Sequence, residues 1–181
     1  MLIAEDPEVD RDPSVVAALQ ASFLESPFGD LAPTRVEAPI VLARHGALLR
    51  GRVDATYERD GRLEIVDFKT GHQPAAGDAS AATQLAVYGV AATDAWGADP
   101  DRLRTTYCYL RTDGPAELVS VDWDRALLDR TRAELDALLE RVAAGNYAVA
   151  TGAWCRGCDF RASCAAGSAW LEANALDSTP T

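Results

Sequence analysis

The segment that most constrains the fold is the run LEIVDFK that ends at Lys69, because both of its faces are partly apolar. Side chains two apart on a strand share a face, so Asp67 and Lys69 lie on the same side as Ile65. Val66 and Phe68 lie on the opposite side. A strand with apolar side chains on both faces needs cover on both, which predicts a central position in a sheet flanked by helices.

Hydrophobic periodicity and turn signals predict the element order α-β-β-β-α-β-β-α. An Asp12-Pro13 pair marks the start of the first helix. The predicted helices cover residues 13–25, 80–95 and 123–143, and the predicted strands cover residues 36–43, 47–57, 63–68, 104–111 and 117–122. We therefore expect an α/β (α+β) fold with a central, mostly antiparallel mixed sheet, flanked by helices and followed by a cysteine-bearing tail.

The second predicted strand, residues 47–57, alternates regularly between apolar and polar positions. A regular pleat puts the two sets of side chains on opposite faces. The expected apolar face carries Leu49, Gly51, Val53, Ala55 and Tyr57, and the polar face carries Arg50, Arg52, Asp54 and Thr56.

The sequence has 28 acidic and 17 basic residues, which gives a net charge of −11. This charge argues against a protein that coats nucleic acid through a basic surface, but it allows an enzyme with a local basic rim. No apolar run approaches the about 18 residues of a membrane-spanning helix. The N-terminus lacks the basic and apolar regions of a signal peptide, so we expect a cytoplasmic protein without a membrane partner.

Lys69 is the only lysine among the 17 basic residues, and it shares a strand face with Asp67. A short turn at Asp60-Gly61 should pair this strand with the preceding one and bring Asp54 beside Asp67. Two carboxylates next to an ammonium group suit Mg²⁺ or Mn²⁺. The alternative interpretation is an ordinary salt bridge at the end of a strand.

Gln84 and Tyr88 follow on the next predicted helix, four residues apart and therefore on one face. They would face the strand of Lys69 and line the same site. The alternative is a helix that only packs its tyrosine into the core.

Three motifs together resemble a known family: GRVD at 51–54, VDFKTG at 66–71 and QLAVY at 84–88. They are similar to the RecB-like branch of the PD-(D/E)XK nucleases, and most similar to the C-terminal nuclease domain of UvrD-type and AddAB-type helicase–nucleases. The resemblance runs from about residue 34 to residue 164. It implies a restriction-endonuclease-like core that hydrolyses DNA phosphodiesters with Mg²⁺ or Mn²⁺, in DNA repair or recombination alongside a helicase.

The resemblance also implies roles for individual residues. Asp54 and Asp67 would bind the metal together with the backbone carbonyl of Phe68, and Lys69 would be catalytic. Gln84 and Tyr88 would line the DNA side of the site. Independently of the resemblance, Arg52 is a candidate DNA contact because it flanks Asp54, and Glu37 on the neighbouring strand is a further candidate near the metal. In the family a histidine often completes this site, and the only histidines of this sequence are His45 and His72.

The tail carries Cys155, Cys158 and Cys164 in a C-x2-C-x5-C pattern. Clustered thiols in a cytosolic chain favour a metal over a disulfide, with zinc or an iron–sulfur cluster as the choices and unliganded thiols as the alternative. The resemblance implies a 4Fe–4S cluster whose fourth cysteine lies far upstream. The remaining cysteine, Cys108, is expected to be a small buried thiol, so the ligand set is incomplete and we expect weak cluster binding.

The predicted organisation is an N-terminal helix and lead-in at 1–33, a nuclease core at 34–146 and a cysteine-containing tail at 147–181. The N-terminal part of the family is not recognisable in this sequence. A fragment, a shortened relative, or a catalytically inactive module that binds DNA or docks to a helicase are the alternatives to an active nuclease. No Walker motif is present, so a helicase motor would belong to a partner subunit or to a missing N-terminal domain.

Overall fold

The computed structural model describes residues 12–70, 79–146 and 148–175. Its helices are α1 (Pro13–Glu25), α2 (Ala79–Trp96), α3 (Arg125–Ala143) and α4 (Ala165–Ala173), and its strands are β1 (Arg35–Arg44), β2 (Ala47–Arg59), β3 (Arg62–Lys69), β4 (Leu103–Tyr109) and β5 (Glu117–Asp122). The predicted order of elements is confirmed from α1 to α3. The chain divides into two compact units, Met1–Glu140 and Arg141–Thr181.

The first unit contains a five-stranded sheet whose spatial order is β1-β2-β3-β4-β5. β1–β2, β2–β3 and β4–β5 pair antiparallel, whereas β3 and β4 pair parallel. Parallel neighbours need a crossover connection, and α2 lies in the connection between them. The central position predicted for β3 and the mostly antiparallel mixed sheet are therefore confirmed.

Two apolar clusters cover the opposite faces of this sheet. Ile65 of β3 belongs to the larger cluster, which α2 and α3 complete. Its neighbour Val66 belongs to the smaller cluster, together with Phe28 and the partly buried Phe23 of α1. Helix α1 begins as predicted, because the Asp12 carboxylate caps it by accepting a hydrogen bond of 2.9 Å from the Ser14 amide.

The expectation of a single apolar face along β2 is wrong at one point. Val53 packs in the larger cluster and Ala55 in the smaller one, so the strand changes face between them. The ladder between β2 and β3 ends at the pair Ala55–Val66, while β2 continues to pair with β1. The two strands therefore separate next to Asp54, and the fork between them is where the candidate site lies.

Gly89 lets α2 approach the sheet. A Cβ atom on Gly89 would lie 1.9 Å from Cζ2 of Trp123, a buried side chain whose indole N–H donates to the Thr105 hydroxyl at 3.1 Å. We expect Gly89→Ala to lower the free energy of unfolding by about 1–3 kcal/mol, because the overlap outweighs the gain in helix propensity. Chemical denaturation measures this change. Gly114→Ala is the control, since a Cβ there meets nothing within 4 Å, and equal stability of the two variants would contradict the prediction.

The second unit contains a short 3₁₀ turn, Ala153–Gly157, and α4. Cys164 caps α4, where its sulfur accepts a hydrogen bond of 3.3 Å from the Gly167 amide. The Arg156 guanidinium lies 5.2 Å from the centre of the Trp170 ring. Within the described parts of both units, no helix is long and apolar enough to span a membrane.

Candidate active site

Asp54 crosses the fork and binds the backbone of β3. Its Oδ2 atom accepts a hydrogen bond of 2.8 Å from the Phe68 amide, the residue after Asp67. Burial raises the pKa of Asp54, the hydrogen bond from Phe68 opposes that shift, and the nearby charge of Asp67 raises the pKa further. Asp54 is therefore a partly desolvated carboxylate whose pKa is raised by a second carboxylate nearby. Two neighbouring negative charges of this kind suit a cation site.

Asp67 is held from the opposite side by α2. Its side chain is buried, and Oδ1 accepts hydrogen bonds from the Tyr88 hydroxyl at 2.9 Å and from the Gln84 amide at 3.0 Å. The Tyr88 hydroxyl also lies 3.1 Å from the Arg52 carbonyl oxygen, and its single proton serves one of these two acceptors at a time. Burial raises the pKa of Tyr88 well above its ordinary value, so the hydroxyl stays protonated.

The Gln84 amide links these groups to Lys69. Its oxygen accepts from the Lys69 ammonium at 3.2 Å and from the Tyr107 hydroxyl at 2.9 Å, while its nitrogen donates to Asp67. These partners fix the orientation of the amide, because donors face its oxygen and a carboxylate faces its nitrogen.

Tyr107 was missed in the sequence analysis. It lies on β4, directly opposite Asp67 in the parallel ladder, and its ring centre lies 5.2 Å from the Lys69 nitrogen. The alternation of Tyr107 and Tyr109 along the strand is a sequence signal that they share a face, but not that this face meets Asp67.

The two oxygens of Asp67 differ in their surroundings. Oδ2 is buried, and among the described residues its partner is the Lys69 ammonium, with which it forms an ion pair. Lys69 is about one-third exposed, at 35% of its side-chain surface, so water reaches this ion pair.

The donor atoms fit a hard divalent cation of the Mg²⁺ type. The described residues contain no group of three His, Cys, Asp or Glu side chains that could hold a metal. Mg²⁺ commonly takes only one or two protein carboxylates and keeps several waters. Oδ2 of Asp67, whose partner among the described residues is the Lys69 ammonium, and the nearby carboxylate of Asp54 match that requirement.

The other residues suggested for the site have partners of their own. The exposed Arg52 side chain forms an ion pair of 2.7 Å with Glu37, and His45 lies 3.2 Å from Asp136 on α3. His72 lies outside the described residues. Two further arginines, in β4 and just after it, are also in ion pairs, Arg104 with Asp122 and Arg111 with Asp113 and Glu117.

The tail cysteines are free thiols, with Cys155 buried and Cys158 and Cys164 partly exposed. The sulfurs of Cys155 and Cys164 lie 3.8 and 3.4 Å from the position that a Cβ atom would take at Gly167. Cys108 is fully buried in β4, as expected, and burial raises the pKa of its thiol to about 11.

The family model described as the PD-(D/E)XK nuclease superfamily matches residues 4–165. No curated protein matches the sequence. A crystal structure of a protein named SSO0001 is 21% identical, with 84% of this chain and 68% of that chain covered and a TM-score of 0.47.

A second crystal structure, of a proposed exonuclease from Eubacterium rectale, is 14% identical, also with a TM-score of 0.47. The match covers 74% of this chain and 53% of the other, so the chain spans about half the length of that protein. The five-stranded mixed sheet flanked by helices is the restriction-endonuclease-like fold. Because the family model covers most of its length, the chain belongs to the PD-(D/E)XK nuclease superfamily.

Proposed function

We propose that the protein is a metal-dependent deoxyribonuclease that hydrolyses phosphodiester bonds at the fork between β2 and β3. The observation that carries this proposal is the state of Asp67. One of its oxygens is fixed by Gln84 and Tyr88, and the other is buried and faces the Lys69 ammonium, which a cation can displace. Asp54 and Asp67 would hold Mg²⁺ or Mn²⁺, with the carbonyl oxygen of Phe68 as a further ligand.

When bound, such a cation would lower the pKa of water and offset negative charge on the phosphate. The remaining steps, which are to orient the water and to bind the phosphate, would be performed by side chains of this protein. The Lys69 ammonium, kept in place by its hydrogen bond to Gln84, would orient the attacking water or donate to a phosphate oxygen. Gln84 and Tyr88 are positioning residues, because they act through Asp67 and Lys69. The exposed Arg52 would contact the DNA backbone.

Within the superfamily, we place the protein in the RecB-like branch and propose a role in DNA repair with a helicase subunit or domain. The order of GRVD, VDFKTG and QLAVY along the sequence supports this proposal. The boundaries 34–146 for the core and 147–181 for the tail belong to the same proposal.

The first test is cleavage of labelled single-stranded and duplex DNA with and without divalent cations. We expect cleavage with Mg²⁺ or Mn²⁺, its complete loss in EDTA, and recovery when excess Mn²⁺ is added, because among the described residues only Lys69 brings positive charge into contact with the carboxylate of Asp67. Ca²⁺ serves as the control cation, since its larger size suits binding better than catalysis. DNA binding without cleavage under every condition would favour the alternative, a module that binds DNA or docks to a helicase.

The tail leads to a separate proposal, that its three cysteines contribute to a 4Fe–4S or zinc site that this sequence does not complete. Both kinds of site usually take four protein ligands. We expect the purified chain to hold well under one equivalent of iron or zinc. Metal analysis and visible absorbance after anaerobic purification measure this. A brown protein with near-stoichiometric iron would contradict the prediction, and loss of that iron in Cys164→Ser would identify the tail as the site.

A further inference from the structure

A cavity lies at the opposite end of α2 from the candidate active site. It has a volume of about 240 Å³, and Thr56, Arg62, Trp96, Arg35 and Arg102 are among its lining residues. Gln84 and Trp96 are about 18 Å apart along the helix at the ordinary rise per residue. The cavity therefore uses none of the residues placed at the fork.

Two of its arginines have no acidic partner. Arg35 and Arg102 form no ion pair with a described residue, in a chain whose net charge is −11. Within the described residues, the side chain of Arg102 makes a single long hydrogen bond, of 3.4 Å, to the Gly61 carbonyl oxygen. The Arg35 guanidinium stacks on the Trp96 ring, 5.0 Å from its centre, and stacking leaves the N–H edge of a guanidinium free to donate.

Two buried polar atoms of the lining residues also have no hydrogen-bond partner in the described parts of the chain. They are the Thr56 hydroxyl, on a side chain that is 1% exposed, and Nε of Arg62, whose Nη2 pairs with Asp122. An unpaired buried polar group is costly, and both of these can donate. The carboxylates of Glu58 and Asp99 also line the cavity, but both residues are exposed to water.

We propose that this cavity binds a phosphate group, either as inorganic phosphate or as part of a small phosphate ester such as a nucleoside monophosphate. A phosphate has several acceptor oxygens and matches the fork of donors that a guanidinium presents. The cavity volume of about 240 Å³ is large enough for one phosphate group. The overall negative charge of the protein repels anions, so a phosphate that binds here needs these particular arginines.

The test is calorimetric titration of the full chain with inorganic phosphate in EDTA, at constant ionic strength. We expect wild-type protein to bind, and Arg102→Gln and Arg35→Gln to bind at least about tenfold more weakly, as expected for the loss of one charge-assisted hydrogen bond. Arg130→Gln is the matched control, because it removes the same charge from an exposed position on α3 and should bind phosphate as the wild type does. No binding by the wild type, or equal binding by all variants, would overturn the proposal.

Thr56→Val provides a test that does not alter charge. Valine has nearly the shape of threonine, and the hydroxyl it removes has no hydrogen-bond partner within residues 12–70, 79–146 and 148–175. We expect thermal stability without phosphate to be retained and phosphate affinity to fall several-fold. Thymidine 5′-monophosphate and thymidine separate the sources of the phosphate: the nucleotide should bind and the nucleoside should not. Binding of thymidine with the same affinity as its monophosphate would show that the phosphate is not recognised.

Discussion

Asp67→Asn should abolish DNA cleavage, with a fall in rate of about a thousandfold or more. A catalytic cation contributes several kcal/mol to the stabilisation of charge in a phosphoryl transition state, and each 1.36 kcal/mol is a factor of ten in rate. Asparagine keeps the shape of the side chain but removes the negative charge that would hold the cation.

The same change should leave the fold intact. The amide oxygen of an asparagine can still accept from Tyr88 and Gln84, as Oδ1 of Asp67 does. Loss of the ion pair with Lys69 should cost about 1 kcal/mol or less, because Lys69 is partly exposed and its ammonium reaches water. Repulsion between Asp67 and Asp54, which contributes to the raised pKa of Asp54, is relieved at the same time.

Cleavage rate and thermal denaturation of the same preparations separate the catalytic role from the structural one. Asp129→Asn makes the same chemical change on the exposed side of α3, where the carboxylate lies 3.6 Å from Arg132, and should alter neither quantity. An Asp67→Asn protein that cleaves DNA normally would show that Asp67 is only a salt-bridge partner. A large loss of stability would likewise assign it a structural role.

The parts of the fold that were predictable from the sequence are those set by local periodicity. Asp67 and Lys69, two residues apart on β3, predicted which face of this strand is polar. The spacing of Gln84 and Tyr88 predicted one face of α2. These patterns are visible in the sequence because side chains return to the same face every two residues on a strand and every 3.6 residues on a helix, independently of tertiary contacts. Asp12 and Pro13 likewise specified the start of α1 through hydrogen bonding within a few residues.

The parts that were not predictable depend on contacts between distant segments. The change of face between Val53 and Ala55 lies where the β1–β2 ladder is interrupted at Glu37, whose φ is 52°, and the periodicity of the sequence does not contain this interruption. The contribution of Tyr107 depends on the register of a parallel pair that is separated by a whole helix. The register between such strands is set by packing, so no short sequence motif predicts it.

Net charge was also a poor guide to local chemistry. A chain with a charge of −11 still gathers Arg35, Arg62 and Arg102 around one cavity, from three separate segments. At the fork, by contrast, the basic side chain that contacts Asp67 is the single lysine of the protein. The net charge sums all charged residues of the sequence. The binding of an anion or a cation depends instead on the few charged side chains that the fold brings close together.

Lys69→Arg should be nearly as damaging to cleavage as Lys69→Ala, with both rates reduced at least about a hundredfold. The ammonium group of Lys69 fits between Asp67, the Gln84 oxygen and the face of Tyr107. A guanidinium is broader and planar, and it cannot take the place of a compact point charge there without moving Gln84. Since Gln84 also holds Asp67, the misfit would disturb the carboxylate as well.

The affinity for Mn²⁺ should survive both changes, because the ligands are carboxylates and the ammonium competes with a cation for Oδ2 of Asp67. Titration of Mn²⁺ by calorimetry, alongside the cleavage assay, distinguishes a catalytic defect from a binding defect. Arg130→Lys is the control for exchange of one basic group for another, and we expect it to be neutral because Arg130 is exposed on α3. If Lys69→Arg kept most of the activity, only the charge at this position would matter, and the role in orienting water or phosphate would be wrong.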